Sequence, residues 1–116
     1  MLFTPHLVPM QRGILSTILT TLMPGVEPGD VIVAIDEAYA SSPFVRRIEA
    51  LPETRWVVGS NNALVSVRVD RRTGRIVLFS AIDNLVKGAA GQAIQCANLM
   101  FGMDESAGLP MTGWMP

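Results

Sequence analysis

The sequence is short of the side chains that most often catalyse reactions or bind metals. Its 116 residues include one cysteine and one histidine. One cysteine cannot form an internal disulfide, which fits a reducing, cytoplasmic setting. A single histidine with no thiolate near it in the sequence argues against a metal site. A chain of this length has room for one domain with a sizeable core but not for two.

Charged residues and long apolar runs are also scarce. Charged residues make up 16% of the chain, against roughly a quarter in a typical soluble domain. A net charge of −1 with no basic stripe excludes nucleic acid and an anionic membrane surface as expected partners. No apolar run approaches the ~18 residues of a membrane-spanning helix, and no signal peptide is recognisable. Because apolar residues still reach 49%, we expect a large partner interface or a face covered by a missing domain.

The pattern of apolar residues and turn residues predicts an α+β domain, a mostly antiparallel or mixed sheet with helices packed on one face. The predicted elements are a strand over 14–23, a helix over 27–40, a short strand over 44–49, a loop over 51–55, an extended segment over 56–58, a hairpin over 64–70 and 75–82, and a helix over 87–100. Gly102 is placed to end the last helix, and four apolar residues predict that the tail over 104–116 docks on the domain. No Gly-x-Gly-x-x-Gly motif follows the first strand, so no dinucleotide site of the Rossmann type is expected.

The hairpin and the helix over 27–40 carry clear periodicities. Val65, Val67 and Val69 alternate with polar residues, which predicts one apolar and one polar face of a strand. The helix has its apolar stripe at Val31, Ala34, Ile35 and Ala38, positions that share one helical face.

Residues 80–101 predict a strand that turns into a helix. The turn contains Asp83 and Asn84, and the start of the helix contains Lys87, Gly88 and Gly91. Backbone N–H groups at a helix start suit an anion or a polar ligand edge, and glycine allows close approach. We interpret Asp83 as a structural, turn-making carboxylate beside that ligand edge.

Neither the cysteine nor the histidine is predicted to be catalytic. Cys96 shares an apolar stripe at helical spacing with Ala89, Ala93 and Met100, so we interpret it as a buried structural residue. A nucleophilic cysteine needs a nearby base, which this stripe does not contain, so a hydrolase that uses Cys96 is a remote alternative. For His6 we expect a hydrogen-bonded structural role, or a place in a site completed elsewhere. No two carboxylates are spaced for acid–base catalysis.

Two stretches of the sequence resemble N-acetyl-γ-glutamyl-phosphate reductase, an enzyme of arginine biosynthesis. The first reads Phe-Thr-Pro-His-Leu-Val-Pro-Met over 3–10 and continues with Arg-Gly-Ile over 12–14. The second reads Ala-Ile-Asp-Asn-Leu-Val-Lys-Gly-Ala-Ala-Gly-Gln-Ala over 81–93 and continues with Asn-Leu-Met over 98–100 and with Gly102. Gly-Ser-Asn over 59–61 fits between them. Aspartate-semialdehyde dehydrogenases share the Lys-Gly-Ala-Ala theme more loosely, and a lysine-pathway reductase with a carrier-bound substrate is a closer alternative.

The resemblance implies a glyceraldehyde-3-phosphate dehydrogenase-like C-terminal domain. Enzymes of this family also have an N-terminal Rossmann domain for NADP, a nucleophilic cysteine in a Gly-Cys-Tyr-type motif, and a base histidine upstream of the Phe-Thr-Pro-His segment. All three are missing here. We therefore expect residues 1–116 to be one dimerisation domain without catalytic residues, inactive alone. Its expected partners are further copies of itself, the missing Rossmann domain and a small-molecule substrate. A non-catalytic oligomerisation module is the second alternative.

The resemblance also implies roles for individual residues. An asparagine at the position of Asn84 approaches the nicotinamide carboxamide, and a glycine at the position of Gly88 admits the cofactor. Lys87 and Gly91 are further cofactor-side residues. Arg12 can meet the phosphate or carboxylate of the substrate, or form an interface ion pair instead, because a guanidinium suits both.

Overall fold

The computed structural model describes residues 2–113, which fold around one four-stranded mixed sheet. The strands are β1 (Ile14–Thr20), β2 (Val45–Arg47), β3 (Ala63–Asp70) and β4 (Arg75–Ile82), and they lie in the order β1-β4-β3-β2. β4 runs antiparallel to both of its neighbours, whereas β2 runs parallel to β3. The two edge strands are therefore parallel to each other. The predicted α+β class is confirmed.

The helical segments are α1 (Pro28–Ala38), a 3₁₀ turn (Thr54–Trp56), a π-helical turn (Val86–Ala90) and α2 (Gly91–Met100). The helices were expected on one face of the sheet, and the contacts of α1 and of the π-helical turn agree. Ile35 of α1 lines a groove together with Ile18, Val65 and Leu78, which share one face of the sheet. The π-helical turn lies over Ile14 and Ile82, which belong to the same face. Within residues 2–113, no helix is long and apolar enough to cross a membrane.

The hairpin of β3 and β4 forms as predicted. Its register runs from Ala63 opposite Ile82 to Asp70 opposite Arg75. Gly74 closes the turn with a φ of +68°, a conformation that L-residues with a side chain adopt only at a cost. The alternation of faces is confirmed, although the polar face is not uniformly exposed, since Ser66 is fully buried.

The helix α1 connects the two edge strands. The prediction of a helix here is confirmed, with Glu27 as its N-cap and the Asp30 carboxylate accepting a 2.8 Å hydrogen bond from the Glu27 N–H. Asp36 and Arg47 form a two-bonded ion pair of 2.7 and 2.9 Å that ties α1 to β2. The predicted apolar stripe is only partly covered, because Val31 and Ile35 are half-buried while the two alanines are exposed.

Two of the predicted extended segments differ in the structure. The first strand ends at Thr20 rather than at 23. Residues 54–56 form a 3₁₀ turn instead of a loop followed by an extended segment, and the turn continues through Val57 and Val58, both of which are in the core. Gly59, with a φ of +75°, reverses the chain directly afterwards. The β-branched residues here fill the core from a turn, so packing prevails over strand propensity.

The tail docks on the domain as predicted, at least over the residues that the structure describes. Leu109 is buried, and the Pro110 carbonyl accepts a 2.8 Å hydrogen bond from the Asn61 N–H. Gly102, with a φ of +67°, ends α2 as expected. Two of the tail's apolar residues, Trp114 and Met115, lie outside the described residues.

Much apolar surface stays uncovered. On β1, Ile14, Leu15, Ile18 and Leu19 are 44–57% exposed, so both faces of this strand present apolar side chains. Among residues 2–113, no strand pairs with the outer edge of β1. Apolar surface of this kind fits the prediction of a partner interface or a covering domain.

Candidate functional site

The predicted strand–turn–helix segment forms, and its helix begins with a π-helical turn. β4 ends at Ile82, and the N–H of Gly88 then donates a 2.8 Å hydrogen bond to the Asp83 carbonyl. The N–H of Ala90 bonds the Leu85 carbonyl in the same i to i+5 pattern at 3.1 Å. Single π-turns inside helices are rare and occur often at functional sites. The sequence predicted the helix but not this wide first turn.

The carboxylate of Asp83 is the structural centre of the segment. It is fully buried. It accepts hydrogen bonds from three backbone N–H groups, those of Gly59 at 2.7 Å, Leu85 at 2.8 Å and Val86 at 2.9 Å. Arg12 Nη2 lies 2.8 and 2.7 Å from its two oxygens. Burial alone would raise the pKa of Asp83, but these hydrogen bonds outweigh it and hold the pKa at about 2.

This arrangement changes the interpretation of the helix start. The N–H groups of Leu85 and Val86 were expected to be available to an anion, but they are bound by Asp83. That expectation is wrong for these two groups, because the chain supplies its own anion. Arg12 forms an ion pair with Asp83 of its own chain, which neither of its two expected roles, a substrate contact or an interface ion pair, had included. Its side chain is still 30% exposed.

Asn84 is held by the segment that precedes β1. Its Oδ1 accepts a 2.7 Å hydrogen bond from the Gly13 N–H. This bond fixes which end of the amide is oxygen, so the Nδ2 group points away from Gly13. Asn84 Nδ2 has no hydrogen-bond partner within residues 2–113 and can donate to a ligand.

The two glycines named with Asn84 differ in their surroundings. Gly88 is exposed, and a Cβ there would lie 3.2 Å from the Asp83 carbonyl oxygen and 3.5 Å from Ile14. Gly91 is buried, and a Cβ there would lie 2.8 Å from Val86 and closer still to Asn61. Within this chain, Gly91 therefore serves the packing of α2, and at Gly88 the missing side chain lets the exposed π-helical turn lie close to Asp83 and the sheet.

The ammonium of Lys87 lies in a polar network under α2. Its Nζ donates to Gln95 Oε1 at 2.5 Å and lies 5.4 Å from the centre of the Phe44 ring. Gln95 also accepts from Asn61 Nδ2 at 2.9 Å and donates to Glu105 at 2.5 Å. Burial lowers the pKa of Lys87, and the nearby Glu105 carboxylate opposes that shift.

The side of α2 that faces the tail is polar and buried, which the sequence pattern did not predict. It follows from Gly91, Gln95 and Asn98, which are spaced i, i+4 and i+7 and are the buried residues of α2. Asn98 Nδ2 donates to the Glu105 and Ala107 carbonyls at 3.2 and 2.9 Å, which binds the tail to the helix. The spacing was readable, but glutamine and asparagine are mostly exposed in proteins, so it did not indicate a buried face.

The expectation that Cys96 is buried is wrong. Cys96 is exposed, and so are the other members of its stripe, Ala89, Ala93 and Met100. The reason is that α2 turns its polar face inward against the tail, which leaves the apolar stripe outside. His6 is also exposed, and its Nδ1 lies 3.1 Å from the Thr4 carbonyl. Among the residues that the structure describes, no cluster of three potential metal ligands exists.

Comparisons with known proteins fit this geometry. Residues 1–84 match the family model described as semialdehyde dehydrogenase, dimerisation domain. An N-acetyl-gamma-glutamyl-phosphate reductase of Synechocystis sp. and an N-acetyl-gamma-glutamyl-phosphate reductase 1 of Nostoc sp. are each 50% identical to this chain over 98% of its length. The chain spans 33% of the length of these relatives.

A solved structure supports the fold. Aspartate semialdehyde dehydrogenase II from Vibrio cholerae aligns with a TM-score of 0.64 and 25% identity, over 82% of this chain and 29% of that protein. The alignment agrees with the expected likeness to the C-terminal domains of such dehydrogenases. Since the family model also covers most of the sequence, the chain belongs to the family of semialdehyde dehydrogenase dimerisation domains.

Proposed function

We propose that this chain is the C-terminal third of an NADP-dependent N-acetyl-γ-glutamyl-phosphate reductase of arginine biosynthesis. The observation that carries the proposal is the 50% identity, over nearly the whole chain, to proteins that bear this name. In the complete cytoplasmic enzyme the chain would supply a surface for self-association and one wall of the nicotinamide site. A Rossmann domain, the nucleophilic cysteine and the base would come from the other two thirds.

The proposed cofactor wall is formed by Asn84 and Gly88. Asn84 Nδ2, which has no partner among the described residues, is a donor, and the carboxamide oxygen of nicotinamide is an acceptor that such a donor suits. Gly88 is exposed four residues further along the segment, where its backbone can lie against a flat ring. Lys87 and Gly91 are proposed to support this wall indirectly, because their contacts fix the position of the first turns of the helix. The partly exposed guanidinium of Arg12 is the proposed contact for a phosphate or carboxylate of the substrate.

No residue of this chain is proposed to be catalytic. Cys96 is exposed on α2, and Gln92 Nε2 lies 3.4 Å from its Sγ. Lys87 is near enough to interact with Cys96 electrostatically, but its ammonium bonds Gln95 instead. Neither an amide nor an ammonium already bound elsewhere is a base that could activate the thiol. We expect the isolated chain to show no NADP-dependent oxidation of N-acetylglutamate 5-semialdehyde in the presence of phosphate. Measurable turnover by the chain alone would overturn this part of the proposal.

Self-association is proposed through the apolar surface that the fold leaves uncovered. Ile18 and Leu19 on β1 are half exposed, and Met100 and Phe101 at the end of α2 are 82% and 78% exposed. Covering these apolar side chains with a second copy or with the missing domain removes them from water, which favours association. Size-exclusion chromatography with light scattering is expected to give a dimer or larger species. A clean monomer at high concentration would contradict the self-association proposal.

A chimera tests the enzymatic proposal directly. In it, this chain replaces the matching third of the Synechocystis relative. We expect NADPH-dependent reduction of N-acetylglutamyl 5-phosphate. A chimera that folds and binds NADPH but reduces only a carrier-bound lysine-pathway substrate would favour the first alternative. One that reduces neither would favour the non-catalytic oligomerisation module.

A further inference from the structure

We propose that Arg12 and Asp83 are positioning residues that orient the Asn84 carboxamide toward the cofactor. The inference rests on the proposed function, in which Asn84 faces the nicotinamide. In this role neither Arg12 nor Asp83 contacts the cofactor. Their ion pair fixes the position of Gly13, and the Gly13 N–H in turn holds the Asn84 amide.

Two neighbouring residues before β1, Arg12 and Gly13, bind two neighbouring residues after β4, Asp83 and Asn84. Arg12 bonds the Asp83 carboxylate at 2.7 and 2.8 Å, and Gly13 donates its N–H to Asn84 Oδ1 at 2.7 Å. The two contacts form a ladder between segments that are 71 residues apart in the chain. A shift of Arg12 therefore moves the donor that fixes Asn84.

Arg12 depends on Asp83 for its position. Among the described residues, the side chain of Arg12 has hydrogen bonds to Asp83 alone, and its Nε is buried without a partner. Asp83 is itself held from three sides by backbone N–H groups. The carboxylate is thus the rigid member of the pair, and the guanidinium is placed by it.

Gly13 cannot be replaced by a residue with a side chain without strain. Its φ is +107°, and a Cβ at this position would lie 2.6 Å from Thr54 Cβ. Only glycine permits both this backbone conformation and the close approach of the 3₁₀ turn. The ladder is therefore preorganised, which is what a group that presents one donor in one direction requires.

The experiment uses the chimera described above and measures KM for NADPH, KM for the acyl phosphate and kcat. Asp83→Asn is expected to raise KM for NADPH about tenfold, similar to the loss of an orienting partner behind a metal ligand. Asn84→Ala is expected to raise it by at least as much. The double variant is expected to resemble Asn84→Ala, because the pair acts through Asn84.

Asp36→Asn is the matched control. It also removes a carboxylate that binds an arginine with two hydrogen bonds, but between α1 and the edge strand β2, without a hydrogen bond to Arg12, Gly13 or Asn84. Its KM values are expected to equal those of the parent chimera. A purely structural role for Asp83 would lower thermal stability while leaving the KM for NADPH of the folded enzyme unchanged, and that result would overturn the inference. Effects of Asp83→Asn and Asn84→Ala that multiply would overturn it as well.

A second variant and the activity of the parent chimera separate the possible causes of a negative result. If Asp83→Asn does not fold, Arg12→Lys decides the question, since it keeps the charge on a partly exposed side chain but replaces the planar guanidinium, whose Nη2 contacts both Asp83 oxygens, with a shorter and more flexible ammonium. It is expected to raise KM for NADPH, and an unchanged KM contradicts the inference. Failure of the parent chimera to reduce the acyl phosphate is a failure of the proposed function. An active parent with unaffected variants is a failure of the positioning role alone.

Discussion

The buried carboxylate of Asp83 should make the stability of this domain depend on acid in a defined window. The pKa of Asp83 falls from 3.8 in the unfolded chain to about 2 in the folded one. Each unit corresponds to 1.36 kcal/mol, so the ionised form contributes about 2 kcal/mol of folding free energy. Because the folded pKa is the lower one, this contribution is fully present above the unfolded value and is lost as the pH falls toward 2.

The assay is urea unfolding of the chain at a series of pH values between 7 and 2. Asp36, Asp70 and Asp104 also have lowered pKa values, so the slope of the wild type alone does not isolate Asp83. The informative quantity is the difference in unfolding free energy between the wild type and Asp83→Asn. At pH 7 we expect a difference of about 3 kcal/mol, since the change removes the charge that pairs with Arg12 and one acceptor of the backbone N–H groups.

The difference is expected to shrink by about 2 kcal/mol as the pH falls from 5 to 2. Asp36→Asn is the control, because its carboxylate forms an ion pair of similar geometry on the exposed surface, where solvent screens it. That variant is expected to follow the wild-type curve closely. A wild-type minus Asp83→Asn difference that stays constant across this window would refute the reasoning. So would a carboxyl NMR titration that places the pKa of Asp83 near 3.8.

Three further outcomes follow from the packing. Gly91→Ala should destabilise the chain by about 1–3 kcal/mol, because its Cβ would press on Val86. Gly29→Ala has open space around it and should be neutral or stabilise by up to about 1 kcal/mol, so equal urea midpoints for the two variants would contradict the packing. Gln95→Leu should cost about 2 kcal/mol, because it leaves buried polar partners unpaired, and a midpoint unchanged from the wild type would count against the network under α2. Cys96 should react with a disulfide reagent in the native chain about as fast as in urea, and a thiol that reacts only after unfolding would contradict its exposure.

Local patterns in the sequence were enough for most of the elements. Strict alternation before a glycine turn predicted the hairpin, and a proline-led apolar stripe predicted α1, because both depend on neighbours within a few residues. The same logic failed at residues 56–58 and at the apolar stripe of α2. In both places, whether a side chain lies in the core or on the surface depends on which distant segment packs against it. No local sequence pattern shows which segment that is.

For the candidate site, the sequence alone determined the segment and the residue types. A turn with Asp83 and Asn84, followed by Gly88, indicated a place where the backbone and a small polar side chain can contact a ligand. The residue sequence of this segment also resembles the family. Only the tertiary structure decided what these residues do for one another. Arg12 and Gly13 lie 71 positions away, yet they hold Asp83 and Asn84. The N–H groups of Leu85 and Val86 at the helix start thereby bind the chain's own carboxylate rather than an external anion. Contacts over such separations arise from folding, which places segments beside each other that no local pattern connects.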